Sequence, residues 1–458
     1  MNRIRLLETL KKNYVCKSFY PLLVSFLLIL TFSIWSNPSL KPHISGDGYG
    51  YWSIAEDFTI KEASIRPFLF PLILKVIINF SPDNWQFYFT LFQLISHSLI
   101  SSFLFLIYKK CSFSDFSAFI CTLAIGFNPN LIYYSSCLLA DILLAILTTI
   151  SWFFLFYINS REEWNKNLMY LLSFFCGLCI VTKPVALLMI FPIFLSMIIV
   201  KNISIEFLKI LPLFIIINFS FHIIWETYKN QHHEEKTIVK SDLIFGAINW
   251  TAIKSGLIEK GRNTPLYNIL LERNQIERAK KLKTVFSYTM DENPEFLVVF
   301  RSLHDNWAIK SDNEFAKKVF KDSPLEILLF SAMKWHSFFT KRGYSPPYGS
   351  FPKMPRIVKI IYVKLYAYLY RPFLLFLLIG SVVLLLSTTN KNLLYSSFFI
   401  ILYASAVVNF ASASASEFAR YRVWIEYIMW FCAFYPIGFF LTFLQKYRKT
   451  LGILKSNE

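Results

Sequence analysis

The chain has 458 residues, of which 55% are hydrophobic and only 17% charged, against about 45–50% and about 25% in soluble globular proteins. That balance excludes an ordinary water-soluble enzyme, and the apolar residues lie in long runs. The formal charge of +18, from 47 Lys and Arg against 29 Asp and Glu, would raise nucleic acid as a partner for a soluble chain. Here the basic residues gather at the ends of apolar runs, as the positive-inside rule requires of membrane loops, so no nucleic-acid partner is expected.

A spanning helix needs about 20 mostly apolar residues, and about ten segments qualify. They run from Phe19 to Trp35, Trp85 to Ile107, Phe116 to Tyr134, Cys137 to Ile158, Leu168 to Thr182, Pro184 to Val200, Phe207 to Trp225, Phe373 to Ser387, Leu393 to Phe410 and Val423 to Leu444. The fold class expected is therefore an all-α polytopic membrane protein. Arg3, Arg5, Lys11, Lys12 and Lys17 place the N-terminus in the cytoplasm, and the first apolar run reads as an anchor. Alternation then keeps Lys109, Lys110, Arg161, Lys166, Lys201, Lys391 and the tail with Lys446, Arg448 and Lys449 on the inside.

Three regions follow. Residues 1–225 form an N-terminal transmembrane module, with a first external loop (36–66) and a short interfacial helix (67–80). Residues 226–372 form an external, mainly helical region, and residues 373–458 carry the last spans and a basic cytoplasmic tail. In the external region, Ser311 with Glu314 and Ser323 with Glu326 match the capping box. The seven cysteines imply no disulfide framework, and Cys176-x-x-Cys179 reads as two small packing residues on one helix. His232-His233-Glu234-Glu235 is a solvated loop sequence rather than a metal cluster, since adjacent residues do not converge as spaced zinc ligands do. Asn249-Trp250-Thr251 is a glycosylation triplet.

Charges near membrane depth are costly and usually functional. Asp47, Asp141, Lys183, Glu417, Arg420 and Arg422 all fall at the outer face by this topology. Asp47 lies in Gly46-Asp47-Gly48-Tyr49-Gly50-Tyr51, where the glycines suit tight turns and close approach of a substrate; a plain Asp-Gly turn is the ordinary alternative. Asp141 opens a span, where an acid also satisfies free amides and the helix dipole. Lys183, Arg420 and Arg422 either reach for headgroups or form a cationic seat for a phosphate, and Arg422 with Glu426 is spaced for an i,i+4 pair.

These residues resemble a known family. Gly46-Asp47-Gly48-Tyr49-Gly50-Tyr51-Trp52, after a first transmembrane helix, is similar to the first external loop of GT-C membrane glycosyltransferases. The branch is that of dolichyl-phosphate-mannose protein mannosyltransferases and the aminoarabinose transferase of lipid A. Arg66-Pro67-Phe68-Leu69-Phe70-Pro71-Leu72, Pro129-Asn130-Leu131-Ile132-Tyr133-Tyr134-Ser135 with Leu139-Ala140-Asp141, Gly177 to Pro184, and Glu417-Phe418-Ala419-Arg420-Tyr421-Arg422 resemble further family segments, in family order. Gly48 departs from the family, which often has a second acid there, and Asp141 stands where Glu is usual.

The resemblance implies inverting transfer of a sugar from a polyprenyl-phosphate donor to a glycolipid, polysaccharide or protein acceptor. The active site would face the periplasm or exterior from a bacterial inner membrane. Asp47 would be the base and Asp141 the acid that orients acceptor or sugar. Arg66, Lys183 and Arg420 would hold the carrier phosphate, with Tyr51, Tyr421 and Glu417 beside them. No cofactor is implied, and a divalent metal requirement stays open. A transporter or flippase of lipid-linked saccharide, or a surface-polysaccharide polymerase or ligase of another fold, remain as rivals.

Overall fold

The computed structural model describes residues 2–44, 46–59, 66–201, 204–232, 338–339, 355–370, 373–386, 391–411 and 418–450. The capping boxes, the glycosylation triplet, His233 to Glu235, most of 226–372 and Glu417 lie outside these. The described chain is helical, and its one isolated bridge joins His43 to Cys137 in parallel.

In chain order the helices are α1 (Asn2–Ser36), α2 (Gly46–Glu56), α3 (Leu69–Phe80), α4 (Trp85–Lys110), α5 (Asp115–Gly126), α6 (Pro129–Ser135), α7 (Asp141–Asn159), α8 (Lys166–Ile180), a 3-10 turn at Pro184–Ala186, α9 (Ile190–Val200), α10 (Ile205–His232), α11 (Arg356–Tyr370), α12 (Phe373–Leu386), α13 (Lys391–Ala411) and α14 (Phe418–Thr450). The chain divides into two compact units, one of Met1–His232, Ser345–Ile401 and Val423–Glu458, the other of His233–Tyr344 and Leu402–Arg422.

Burial is inverted relative to a water-soluble protein. Leu28, Phe92, Leu99, Phe103, Phe191, Ile216 and Ile224 face outward, whereas Ser98, Ser101, Ser102, Thr148, Thr149 and Ser151 are buried. An apolar solvent reverses the usual preference, because exposing Phe and Leu to lipid costs nothing and buried hydroxyls can bond to backbone carbonyls of their own helix. Ser98, Ser102, Thr149 and Ser151 each donate to a carbonyl one turn back. The protein is an integral membrane protein.

Five described helices are long and apolar enough to cross a membrane, and seven if two bent pairs count as one span each. The difference from the expected ten lies mainly in the 15 residues of α8, the break before α9 and the shortness of α13's apolar part, which form apolar helices below spanning length. The segment expected as one span from Phe116 to Tyr134 is two helices, α5 and α6, bent by 55°. The reason is local. Pro129 has no amide to continue the ladder, and Asn128 caps the new helix by accepting from Asn130 N at 2.8 Å.

The break leaves carbonyls at the end of α5 and at its cap Phe127 without helical partners, and side chains from elsewhere satisfy them. Tyr366 donates to Ala124 O at 2.6 Å, Tyr362 donates to Phe127 O, and His97 Nε2 lies 3.0 Å from Gly126 O. Two of these donors come from α11, which packs within the first unit although its sequence lies in the 226–372 segment; α10 likewise continues past residue 225 to His232. Cys176 and Cys179 are buried free thiols on α8, as packing residues would be.

Candidate active site

The site begins in the 37–44 loop, which has no regular structure of its own and borrows it. His43 N donates to Ser136 O at 2.7 Å and Leu138 N donates to His43 O at 2.9 Å, so the loop is pinned to the segment that leads into Asp141. The helix α2 follows at once, with Asp47 in its first turn, where a carboxylate also suits the positive end of the helix dipole.

The glycines do not form a turn here, contrary to the reading of the motif as a tight loop. They are helical, and their use is close approach. A Cβ on Gly48 would lie 3.0 Å from Leu138 O, and one on Gly50 would lie 3.1–3.3 Å from the Arg66 guanidinium. The missing side chains therefore let α2 rest on the 136–138 segment on one side and receive Arg66 on the other.

Arg66 Nη2 donates to Asp47 Oδ1 at 2.9 Å, and its guanidinium sits over the Tyr51 ring, 4.6 Å from the centroid. Tyr51 is itself buried against Phe70 of α3. Burial opposes the Arg66 charge, but Asp47 and Tyr51 more than offset it, so the guanidinium pKa stands above its ordinary value. The Asp47 carboxylate keeps about a third of its surface open, 36% by area. An oriented, partly exposed carboxylate is placed to accept a proton from an incoming hydroxyl.

A second ion pair lies in the same unit. Lys183 Nζ meets Asp141 Oδ1 at 2.5 Å, with residue exposures of 8% and 2%. Asp141 opens α7, and Lys183 precedes the 3-10 turn that Pro184 begins. Leu69 N donates to Val181 O at 3.1 Å, tying the start of α3, just after Arg66, to the end of α8, just before Lys183. The backbone that carries one pair is thus fastened to the backbone that carries the other at both 43/136–138 and 69/181.

The sequence places Asp47, Arg66, Tyr51, Asp141 and Lys183 in the site, and the structure assembles them as two acid–cation pairs. Pairing of Lys183 with Asp141 was not foreseen; periodicity holds no signal for a contact 42 residues apart. Arg420 and Tyr421 lie in the first turn of α14, Arg420 half-buried. Glu426 accepts from Asn130 Nδ2 at 2.9 Å and from Tyr370 OH at 2.7 Å, while Arg422 Nη1 donates to Phe338 O at 2.7 Å. His97, whose Nδ1 lies 2.6 Å from Tyr427 OH, was also missed; its signal was a lone imidazole in an apolar run. Among the described residues no three His, Cys, Asp or Glu side chains are grouped as a metal would need.

A helical membrane protein with an oriented, partly open carboxylate beside a first transmembrane helix fits the GT-C class that the sequence resembles. Residues 74–231 match the family described as dolichyl-phosphate-mannose-protein mannosyltransferase. That span contains Asp141 and Lys183 and stops short of Asp47 and Arg66. The chain is similar to that family over those residues. Among solved structures, the chain is similar to a crystal structure of ArnT from Cupriavidus metallidurans bound to undecaprenyl phosphate. That likeness has 12% identity, covers 87% of this chain and 77% of the other, and has a TM-score of 0.37. No curated protein sequence matches the chain.

Proposed function

We infer that the protein transfers a sugar from a polyprenyl-phosphate donor to an envelope glycolipid, polysaccharide or protein acceptor, at the external face of a bacterial inner membrane. The observation that carries the reading is the Asp47–Arg66 pair on the Tyr51 ring: an acceptor base and a phosphate-seeking cation within one hydrogen bond of each other.

Asp47 takes the proton of the acceptor hydroxyl as its oxygen forms the new bond to the anomeric carbon. The bond from that carbon to the phosphate oxygen breaks on the opposite face, its electron pair leaves with the carrier phosphate, and the sugar is inverted. Phosphate needs cationic stabilisation rather than an acid. Arg66 has further donors beyond the one that Asp47 takes, and a planar guanidinium suits a phosphate. Asp141, held by Lys183, orients acceptor or sugar; for Arg420, Tyr421 and Glu417 a part in binding the carrier is what the family resemblance implies.

The test supplies polyprenyl-phosphate sugar to membranes containing the protein or Asp47→Asn. Transfer should fall by about 10²–10⁴-fold at equal expression, the usual contribution of a positioned base. Full activity in the variant would remove Asp47 from the chemistry.

A further inference from the structure

The chain between α6 and α7 is buried throughout, from Ser136 to Ala140, and it cannot satisfy its own backbone. Leu138 N is taken by His43 O and Leu139 N by Cys137 O, at 2.9 Å each. Neither amide that would continue α6 therefore reaches the carbonyl of Ser135, the last residue of that helix. Lipid offers no donor in exchange, so irregular backbone at this depth needs one from the protein.

The donor comes from α4. Gln93 is 2% exposed and lies about 12 Å along the helix from its first residue, Trp85, at ~1.5 Å per residue. Turned one way, its amide gives a single bond of 3.5 Å to Leu139 O and sets its own oxygen against the carbonyls of Ser135 and Cys137. Turned the other way, its nitrogen donates to both of those oxygens at 3.0 Å each. Two carbonyl oxygens can only accept, so they fix the second orientation. In either orientation the amide binds the 135–139 segment. Beside it α3 and α7 present Phe70, Ile73, Ile142, Leu143 and Ile146, none of which can donate in its place.

That segment carries both acids of the site. Ser136 O and Leu138 N hold His43, a Cβ on Gly48 would lie 3.0 Å from Leu138 O, and Asp141 opens α7 directly after Ala140. The position of the segment therefore sets where α2, with Asp47, and the first turn of α7, with Asp141, stand.

We propose that Gln93 is a positioning residue for sugar transfer: by donating to Ser135 O and Cys137 O it fixes the segment that places the Asp47 and Asp141 carboxylates. The proposal rests on the reading of Asp47 as the acceptor base. Buried as it is, Gln93 acts through the backbone and not on the sugar or its carrier.

Gln93→Met keeps the length of the side chain and removes both donors. With polyprenyl-phosphate sugar, the purified variant should lose at least about tenfold in kcat while KM for the donor stays within about threefold. A displaced base loses alignment in the transition state and no ligand contact. A second measurement does not depend on transfer. In amide hydrogen exchange on the detergent-purified full chain, peptides covering His43 to Gly50 and Ser135 to Asp141 should exchange about tenfold faster in the variant, and those of α8 at the native rate. Gln93→Asn, whose amide is one methylene too short for both carbonyls, should behave alike, and it decides the matter if Gln93→Met does not fold. A lowered unfolding midpoint with native kcat per folded molecule and native exchange from His43 to Gly50 would make Gln93 a packing residue and overturn the proposal. A KM that rises while kcat holds would overturn it too. Faster exchange in the variants of a chain whose native form transfers no sugar would uphold the Gln93 clamp and refute the transferase reading instead.

Discussion

Removing Lys183 is expected to cost far more than removing the bond it makes. Lys183 and Asp141 are 8% and 2% exposed, so water screens neither charge. Lys183→Met leaves Asp141 as a buried carboxylate without its counter-ion, a change that costs about 3–5 kcal/mol. Asp141→Asn, leaving the ammonium, should cost a similar amount, so an additive double variant would lose about 6–10 kcal/mol, most of a typical membrane domain's margin. The structure predicts otherwise. Once both charges are gone, neither residue is stranded, so Lys183→Met with Asp141→Asn should lie within about 2 kcal/mol of the native chain, a coupling of several kcal/mol. Unfolding in mixed micelles with increasing dodecyl sulfate measures all four proteins. Additive losses would refute the argument, because they would mean that each charge has independent solvent or partners. Restored stability in the double variant need not restore transfer, since the acid proposed to orient the acceptor is absent.

The two glycines of the first motif should separate structure from chemistry. Gly48→Ala puts a methyl 3.0 Å from the Leu138 carbonyl, which is backbone and cannot turn away, so it should destabilise by about 1–3 kcal/mol in the same unfolding assay. Gly50→Ala meets only the end of the Arg66 side chain, which can move; its stability should stay within about 1 kcal/mol while transfer falls at least about tenfold. At the membrane break, Asn128→Ala removes the side-chain acceptor for Asn130 N and should cost about 1 kcal/mol of stability. Glu426→Leu strands the Asn130 amide and the Tyr370 hydroxyl inside the membrane and should lower the unfolding midpoint more than Glu426→Gln, whose amide oxygen still accepts from both.

Much of the fold is written locally. The apolar runs mark the helices, Ser114, Asn128 and Asn165 start α5, α6 and α8 with side-chain caps, and the alternation of Phe70 and Leu74 inside with Leu72 and Val76 outside makes α3 a surface helix. Asn128-Pro129 contains the break in the third span too, although a count of apolar residues passes over it. The hydrogen bonds from Asn130 and Tyr370 to Glu426 come from helices remote in sequence, which no spacing along the chain encodes.

By itself the sequence determined that this is a membrane protein, which runs are helical, and that Asp47, Arg66, Asp141 and Lys183 are charges close to apolar runs. Those properties depend on composition and on neighbours within a turn or two. Only the tertiary structure decided the partners: Asp47 with Arg66, 19 residues away, and Asp141 with Lys183, 42 away. The physical reason is that each pairing is set by backbone contacts between separate segments, His43 on 136–138 and Leu69 on Val181, and by the space that Gly48 and Gly50 leave empty. No periodicity along one helix encodes which segment will fill that space.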